Sequence, residues 1–290
     1  MPCATAGRCA DLVMRLRAVA LLTALTLACG ETAPVPVTPS PTPTIRTITA
    51  STPAVTSAPA SPTAVTTSTV TPAATPRASS PAEVERGALD RRELALTFDC
   101  GGHARGTAEI LAALREADVH VTFFLIGDWV RAYPDLAREI AARHEIANHS
   151  DHHPDYVELS DEAIVADLDA ADRTFREVLG RSARPMWRAP SGSRDARVLA
   201  AAARGGWDQH VFWTMGRDAQ GGLVTGDSGD WRDFTPRQVA DNVLGAADLG
   251  NGVVTVSHCD SAQTRGALPE VLRALRDRGI RVTTVSDLLR

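Results

Sequence analysis

The chain has 290 residues, a net charge of −5 and an isoelectric point near 5.9, a balance that offers no basic surface for nucleic acid. Its length suits one domain of about 200 residues with extensions. The composition divides in the same way: residues 1–82 hold no alternation of strand and helix patterns, and residues 83–290 hold little else.

The N-terminus reads as a targeting segment. Arg15 and Arg17 precede an apolar run from Ala18 to Ala28, followed by Cys29-Gly30. A run of about eleven residues is too short to span a bilayer and suits a signal sequence. The stretch LTLAC is similar to a bacterial lipoprotein box, in which Cys29 is lipidated and becomes the mature N-terminus. Thr26 departs from the aliphatic residue usual three places before that cysteine, and ordinary secretion with cleavage nearby is the alternative. Met14 is a second candidate start, which would leave a complete signal and remove Cys3 and Cys9. Residues 1–29 are thus expected to be a signal peptide of lipoprotein type, placing the protein outside the cytoplasm, at the cell surface, with a membrane partner at Cys29. Residues 30–82 are rich in Pro, Thr, Ser, Ala and Val with almost no charge. Such a segment cannot bury a core and reads as a disordered tether, reaching at most ~160 Å at ~3.1 Å per residue.

From Glu93 onward strands and helices alternate. The apolar runs are 94–99, 119–126, 144–149, 186–191, 209–215, 252–258 and 280–286. Helical patterns lie between most of them, over 107–117, 134–144, 160–179, 194–206, 235–250 and 267–279. Ser160 and Thr235-Pro236 are helix starts, and Gly180, Gly250 and Gly279 are stops. Buried strands with interposed helices predict a parallel sheet, either an incomplete barrel or an open doubly wound sheet. In both, the site lies at the carboxyl ends of the strands.

The polar residues at those ends carry the chemistry. The first run, LALTFDCGG, ends on Asp99 just before a glycine pair, where a rigid strand can hold a catalytic carboxylate; a plain capping role is the alternative. The third ends in the stretch Asn148 to His153, the fourth in Arg188-Ala189-Pro190, the sixth in Ser257-His258. His120, His144 and His210 read as structural. His149 and His153, four apart after a strand, can converge on a divalent ion, zinc being favoured.

Together these residues resemble the polysaccharide deacetylase family (the NodB homology domain, carbohydrate esterase family 4) over about residues 92–289. TFDCG stands where the family has TFDDG, HSDHH matches H-[ST]-x-x-H, RAPSG stands for RPPYG, DSGDW (227–231) fits DxxDW, and VSHCD (256–260) stands for the strand ending Leu-x-His. The resemblance implies a distorted (β/α) barrel of about seven parallel strands at 83–290, hydrolysing N-acetyl groups on an amino-sugar polymer. It implies that Asp99 is the general base, that His149 and His153 hold a metal ion, and that Arg188 orients Asp99. Asp227 would orient His258, the general acid. A backbone N–H after Pro190 would join the metal in stabilising the oxyanion.

The sequence departs from the family in three places. Cys100 replaces an aspartate that is a metal ligand in the family. Ser191 replaces a tyrosine. A Gly-rich insertion before the fourth motif makes Asp218 a competitor of Asp227, which the spacing to Asp230-Trp231 favours. Trp231 itself is either core packing or a wall against the acetyl methyl. Cys100 and Cys259 each follow a candidate catalytic residue. Either Cys100 is a thiolate ligand, or the two form a disulfide, which is preferred because a lone ligand leaves Cys259 unexplained. The expected function is a metal-dependent deacetylase acting on peptidoglycan or chitooligosaccharides. A carbohydrate-binding pseudoenzyme and an acetyl-xylan esterase are the alternatives. For the anchor, Cys29→Ser in the full chain is expected to move the protein from the membrane to the soluble fraction; retention in the membrane fraction would refute lipidation.

Overall fold

In the computed structural model the described residues are 82–290. The signal segment, Cys29 and nearly all of the expected tether lie outside them. The chain opens with β1 (Ala82–Val84), β2 (Glu93–Cys100), α1 (Thr107–Glu116) and β3 (Thr122–Leu125). There follow α2 (Gly127–Ala132), α3 (Pro134–Arg143), β4 (Glu145–Asn148), α4 (Asp161–Leu179), β5 (Met186–Trp187), α5 (Ala196–Arg204) and β6 (Gln209–Val211). A hairpin of β7 (Met215–Arg217) and β8 (Leu223–Thr225) precedes α6 (Pro236–Ala247), β9 (Val253–His258), α7 (Ala262–Asp277), β10 (Arg281–Thr283) and α8 (Val285–Leu288).

The sheet is parallel throughout, in the order β1-β6-β5-β4-β3-β2. Beyond that row, β2 also pairs with β9 along Leu94–Asp99 and with β10 at Glu93–Ala95. Past β6 the sheet is closed by irregular chain: the Thr214 N–H donates to the Val254 carbonyl of β9, and the Ser228 N–H donates to that of Val256. The result is the expected distorted (β/α) barrel, with β1 added to the strands read from the sequence.

Strand alternation divides the core. Along β2, Leu94, Leu96, Phe98 and Cys100 join the layer between sheet and helices. Ala95 packs inside the barrel with Phe124, Ala147, Val211 and Val254, and Val285 and Leu288 of α8 plug the far end. Both faces of β2 are buried, which is why it reads as one apolar run rather than an alternating one.

Two helices differ from expectation. The segment GDWVRA forms α2, burying Trp129 and Val130 directly after β3. α7 starts at Ala262, capped by Ser261, five residues before the expected helix at 267–279, and so runs through Gly266. Gly266 is at home there because a Cβ would lie 2.8 Å from Cγ of Pro236 on α6. Packing of α7 against α6 thus outweighs local propensity.

The parallel register sets Asp99 beside His258. One residue further on, and on the opposite face, Cys100 and Cys259 are bonded, with Cα atoms 5.0 Å apart. The thiolate-ligand reading of Cys100 is therefore corrected: its sulfur lies in the outer layer, away from the barrel interior. The disulfide closes a loop of separation 159, and crosslinks of that reach typically contribute ~2–5 kcal/mol. The double variant Cys100→Ser/Cys259→Ser should show a correspondingly lower midpoint of denaturant unfolding, while an unchanged midpoint would show the crosslink to be energetically idle.

Candidate active site

Asp99 is 5% exposed, at the inner-facing end of β2. Its Oδ1 accepts from Nη1 of Arg188 at 2.6 Å. Arg188, next after β5, is fully buried and has every part of its guanidinium engaged. Nε donates to the Val211 carbonyl at 3.0 Å, Nη2 to Thr97 Oγ1 at 3.0 Å, and the plane lies 3.9 Å over the Phe124 ring. Burial raises the Asp99 pKa, but Arg188, with His149 and His258 nearby, outweighs it and holds the carboxyl below its ordinary range.

His149 follows β4. Its Nδ1 is 3.1 Å from the Arg188 carbonyl oxygen, an atom that can only accept, so Nδ1 carries the proton and Nε2 a lone pair. Burial lowers its pKa to about 4, so the ring is neutral. Nε2 faces Asp99 Oδ2 at 3.5 Å. The loop then turns through two left-handed non-glycine residues, Ser150 (φ 82°) and His153 (φ 60°). Their strain, about 1–2 kcal/mol each, is held in place by the Ser150 N–H on Asn148 Oδ1 and the His153 N–H on Ser150 Oγ, both 2.8 Å. The fold brings the His153 ring to 5.1 Å from that of His149, edge to face.

His258 ends β9. The carboxylate that orients it is Asp230, which corrects the assignment to Asp227. Asp230 Oδ1 accepts from Nδ1 of His258 at 2.7 Å and Oδ2 from the His258 backbone N–H at 2.7 Å, with Thr264 Oγ1 a further donor. Burial pushes the His258 pKa down, but the hydrogen bond and charge of Asp230 prevail, raising it to about 9. Asp227 instead accepts from the Gly229 N–H at 2.9 Å and from Nε1 of Trp231 at 3.2 Å. Gly229, at φ 70°, turns the chain so that the second acid of DSGDW, not the first, arrives beneath β9. Asp218 caps the β7–β8 turn through the Gly222 N–H. Trp231 is 62% exposed, so it is not core packing; Arg232 lies over its ring.

Sequence reasoning missed Asp230, although it stands in the motif that was singled out. His144 packs beside Phe123. His210 does more than fill space: its Nε2 accepts from the Ala189 N–H at 3.2 Å. A cavity of about 760 Å³ near the start of β10 contains none of the site residues.

The resemblance implies a divalent ion here. The chemistry of the donors fits one. A neutral imidazole lone pair and a carboxylate oxygen face each other with no proton between them, an arrangement complementary to a cation, and His153 stands alongside. As arranged, no three His, Cys, Asp or Glu side chains among the described residues enclose a metal position.

Residues 86–210 match the family model described as polysaccharide deacetylase. The peptidoglycan-N-acetylglucosamine deacetylase of Bacillus cereus is 30% identical over 68% of this chain and 88% of its own. A chitooligosaccharide deacetylase of Rhizobium leguminosarum bv. trifolii is 30% identical over 69% and 93%. A pseudoenzyme of carbohydrate esterase family 4 from Bacillus anthracis has a similar structure, with a TM-score of 0.64 at 26% identity over 73% of this chain and 70% of that one. A mutant of it with restored enzymatic activity gives 0.64 at 27%, covering 73% and 72%.

The pKa of about 9 rests on Asp230, so Asp230→Asn should lower it. If protonated His258 is the active form, activity is lost as pH rises through that value, and the variant should lose it at lower pH than the wild type. Asp227→Asn should leave the alkaline limb in place. Measuring pH profiles of both variants checks this; a limb that moves with Asp227 and not Asp230 would reverse the assignment.

Proposed function

Since the chain belongs to the polysaccharide deacetylase family, we propose that it hydrolyses N-acetyl groups on an amino-sugar polymer of the cell wall or a related chitooligosaccharide. The single observation that carries the reading is a base and an acid of opposite, appropriate protonation on neighbouring strands. Asp99 is held ionised, and His258 is held protonated to about pH 9. A merely sugar-binding groove needs neither.

In the reaction, water adds its oxygen to the acetyl carbonyl carbon and gives a proton to Asp99 Oδ2. Arg188 occupies Oδ1 and leaves that one oxygen free for the water. The backbone N–H of Ser191, the one after Pro190, would donate to the oxygen that becomes negative. His258, whose Nδ1–H is fixed on Asp230, delivers the proton on Nε2 to the sugar nitrogen as the C–N bond breaks, leaving acetate and a free amine. His149 and His153 would hold the divalent ion, zinc being favoured, with Asp99 Oδ2 adjacent; when bound it supplies Lewis-acid polarisation of the carbonyl and a lower pKa for water. Trp231, exposed and tethered to Asp227, would serve as a wall of the sugar groove, against the acetyl methyl. We place the protein outside the cytoplasm, joined to the membrane through lipidated Cys29 and to its polysaccharide through this groove.

A second reading has its own support. With Cys100 in a disulfide and a pseudoenzyme among the structural relatives, a carbohydrate-binding protein without turnover is the alternative. Acetate release from peptidoglycan, chitooligosaccharides and acetylated xylan, with and without chelator, separates the possibilities. Release from the N-acetylated substrates is expected, falling with chelator; Asp99→Asn should fold and lose ~10²–10⁴ in rate. Binding without release from any substrate would favour the pseudoenzyme, and release from xylan alone an esterase.

A further inference from the structure

Behind the site lies a cluster that the mechanism above does not use. The register of β1 on β6 sets Glu83 beside His210. His210 is 1% exposed, and burial keeps its ring neutral. Its Nε2 accepts from the Ala189 N–H at 3.2 Å, so its proton is on Nδ1. Nδ1 is 3.3 Å from Glu83 Oε1, a long polar contact from a neutral ring to a carboxylate rather than a well-aligned hydrogen bond, and it has no other partner among the described residues. The same oxygen accepts from Arg194 at 2.6 Å. Arg194 lies 3.5 Å over the Phe212 ring, and its Nη1 donates to the Gly192 carbonyl at 3.4 Å. His210 and Arg194 together hold the Glu83 carboxyl down to about 2, so it is charged at every working pH.

The two arms reach the two ends of one short segment, Ala189 to Gly192. Inside it Ser191 is left-handed, at φ 55°, a conformation unfavourable for a serine that persists only where surrounding contacts impose it. We propose that Glu83, acting through His210 at one end and Arg194 at the other, is the positioning residue that fixes the Ala189–Gly192 segment and so aims the Ser191 N–H into the site. Without the carboxylate, His210 is free to move its proton to Nε2. A donor then faces the Ala189 N–H, and the amide planes on either side of Pro190 lose their reference. Glu83 touches no reacting atom; its effect on the reaction is through the orientation of one backbone donor.

The aim of the Ser191 N–H matters for turnover only if the deacetylase reading holds, whereas the clamp itself does not depend on it. The test therefore has two readouts on the purified full chain: hydrogen exchange of the 189–193 amides, and kcat and KM for acetate release from chitopentaose. Glu83→Ala should speed exchange in that segment at least about tenfold while amides of β2 and α4 keep wild-type protection. It should lower kcat about tenfold or more with KM little changed, since displacement of a group in the site by an ångström costs up to ~10² in rate. Glu83→Gln keeps an acceptor for both partners and should restore most of kcat. His210→Phe keeps the ring packed on Trp187 but removes the acceptor, and should repeat the loss. Wild-type exchange and kcat in Glu83→Ala would overturn the proposal, as would a rise in KM alone or equal losses in the Ala and Gln variants. If the wild type releases no acetate, the deacetylase reading fails, and exchange in Glu83→Ala alone decides whether the clamp exists.

Discussion

The buried ion pair of Arg188 and Asp99 is the interaction on which the rest of the site depends. An unpaired guanidinium or carboxylate at this depth would be very costly, so each obliges the other to stay. Arg188 answers with all three of its guanidinium nitrogens, to Val211 of β6 and to Thr97 and Asp99 of β2, with Phe124 of β3 beneath its plane. Its own carbonyl fixes the tautomer of His149 after β4. One side chain and its backbone therefore set the charge of Asp99, the direction of its free oxygen and the lone pair of the facing imidazole. Replacing Arg188 would remove all three at once, and loss of activity on its substitution could not be ascribed to any one.

The pairing of β2 with β9 does the complementary work. A parallel register puts Asp99 and His258 side by side, and the period of two then turns Cys100 and Cys259 outward together. The proposed acid–base pair and the crosslink occupy consecutive residues on opposite faces of the same two strands. The two faces also differ in surroundings: inward, the pair meets Arg188 and His149, and outward the disulfide is packed among helix side chains at 0% exposure.

Much of this was legible beforehand because strand ends punctuate clearly. Asp99, His149, Arg188 and His258 each close an apolar run, and a parallel sheet delivers such residues to one end. The disulfide followed from the same logic. What stayed hidden depends on geometry that spacing does not carry. Asp227 and Asp230 are both acids of one motif, and the left-handed turn at Gly229 decides which lies under His258. β1 is three residues that qualify as a strand only when β6 is there to pair with. The helical pattern read from the sequence began at Ala267, after Gly266, yet α7 starts at Ala262 and carries Gly266 where it packs on α6. His210 looked structural, and its link to Ala189 could not be read from a lone histidine between apolar residues.

The place of β1 also has a mechanical consequence. All of the chain that precedes the barrel joins it through Ala82–Val84, so tension arriving from that direction is borne first by three parallel pairings with β6 and by the contacts of Glu83. In a parallel pair pulled along its length the hydrogen bonds are loaded together in shear rather than opened one by one. Behind them, Arg86 holds two carbonyls of the segment leading into β9, those of Leu249 and Asn251, which forms a second stop before the load reaches β2. A domain hung from its N-terminus in a stiff polymer mesh would thus resist drag with a strand of only three residues, and slippage there by a single residue would withdraw Glu83 from His210.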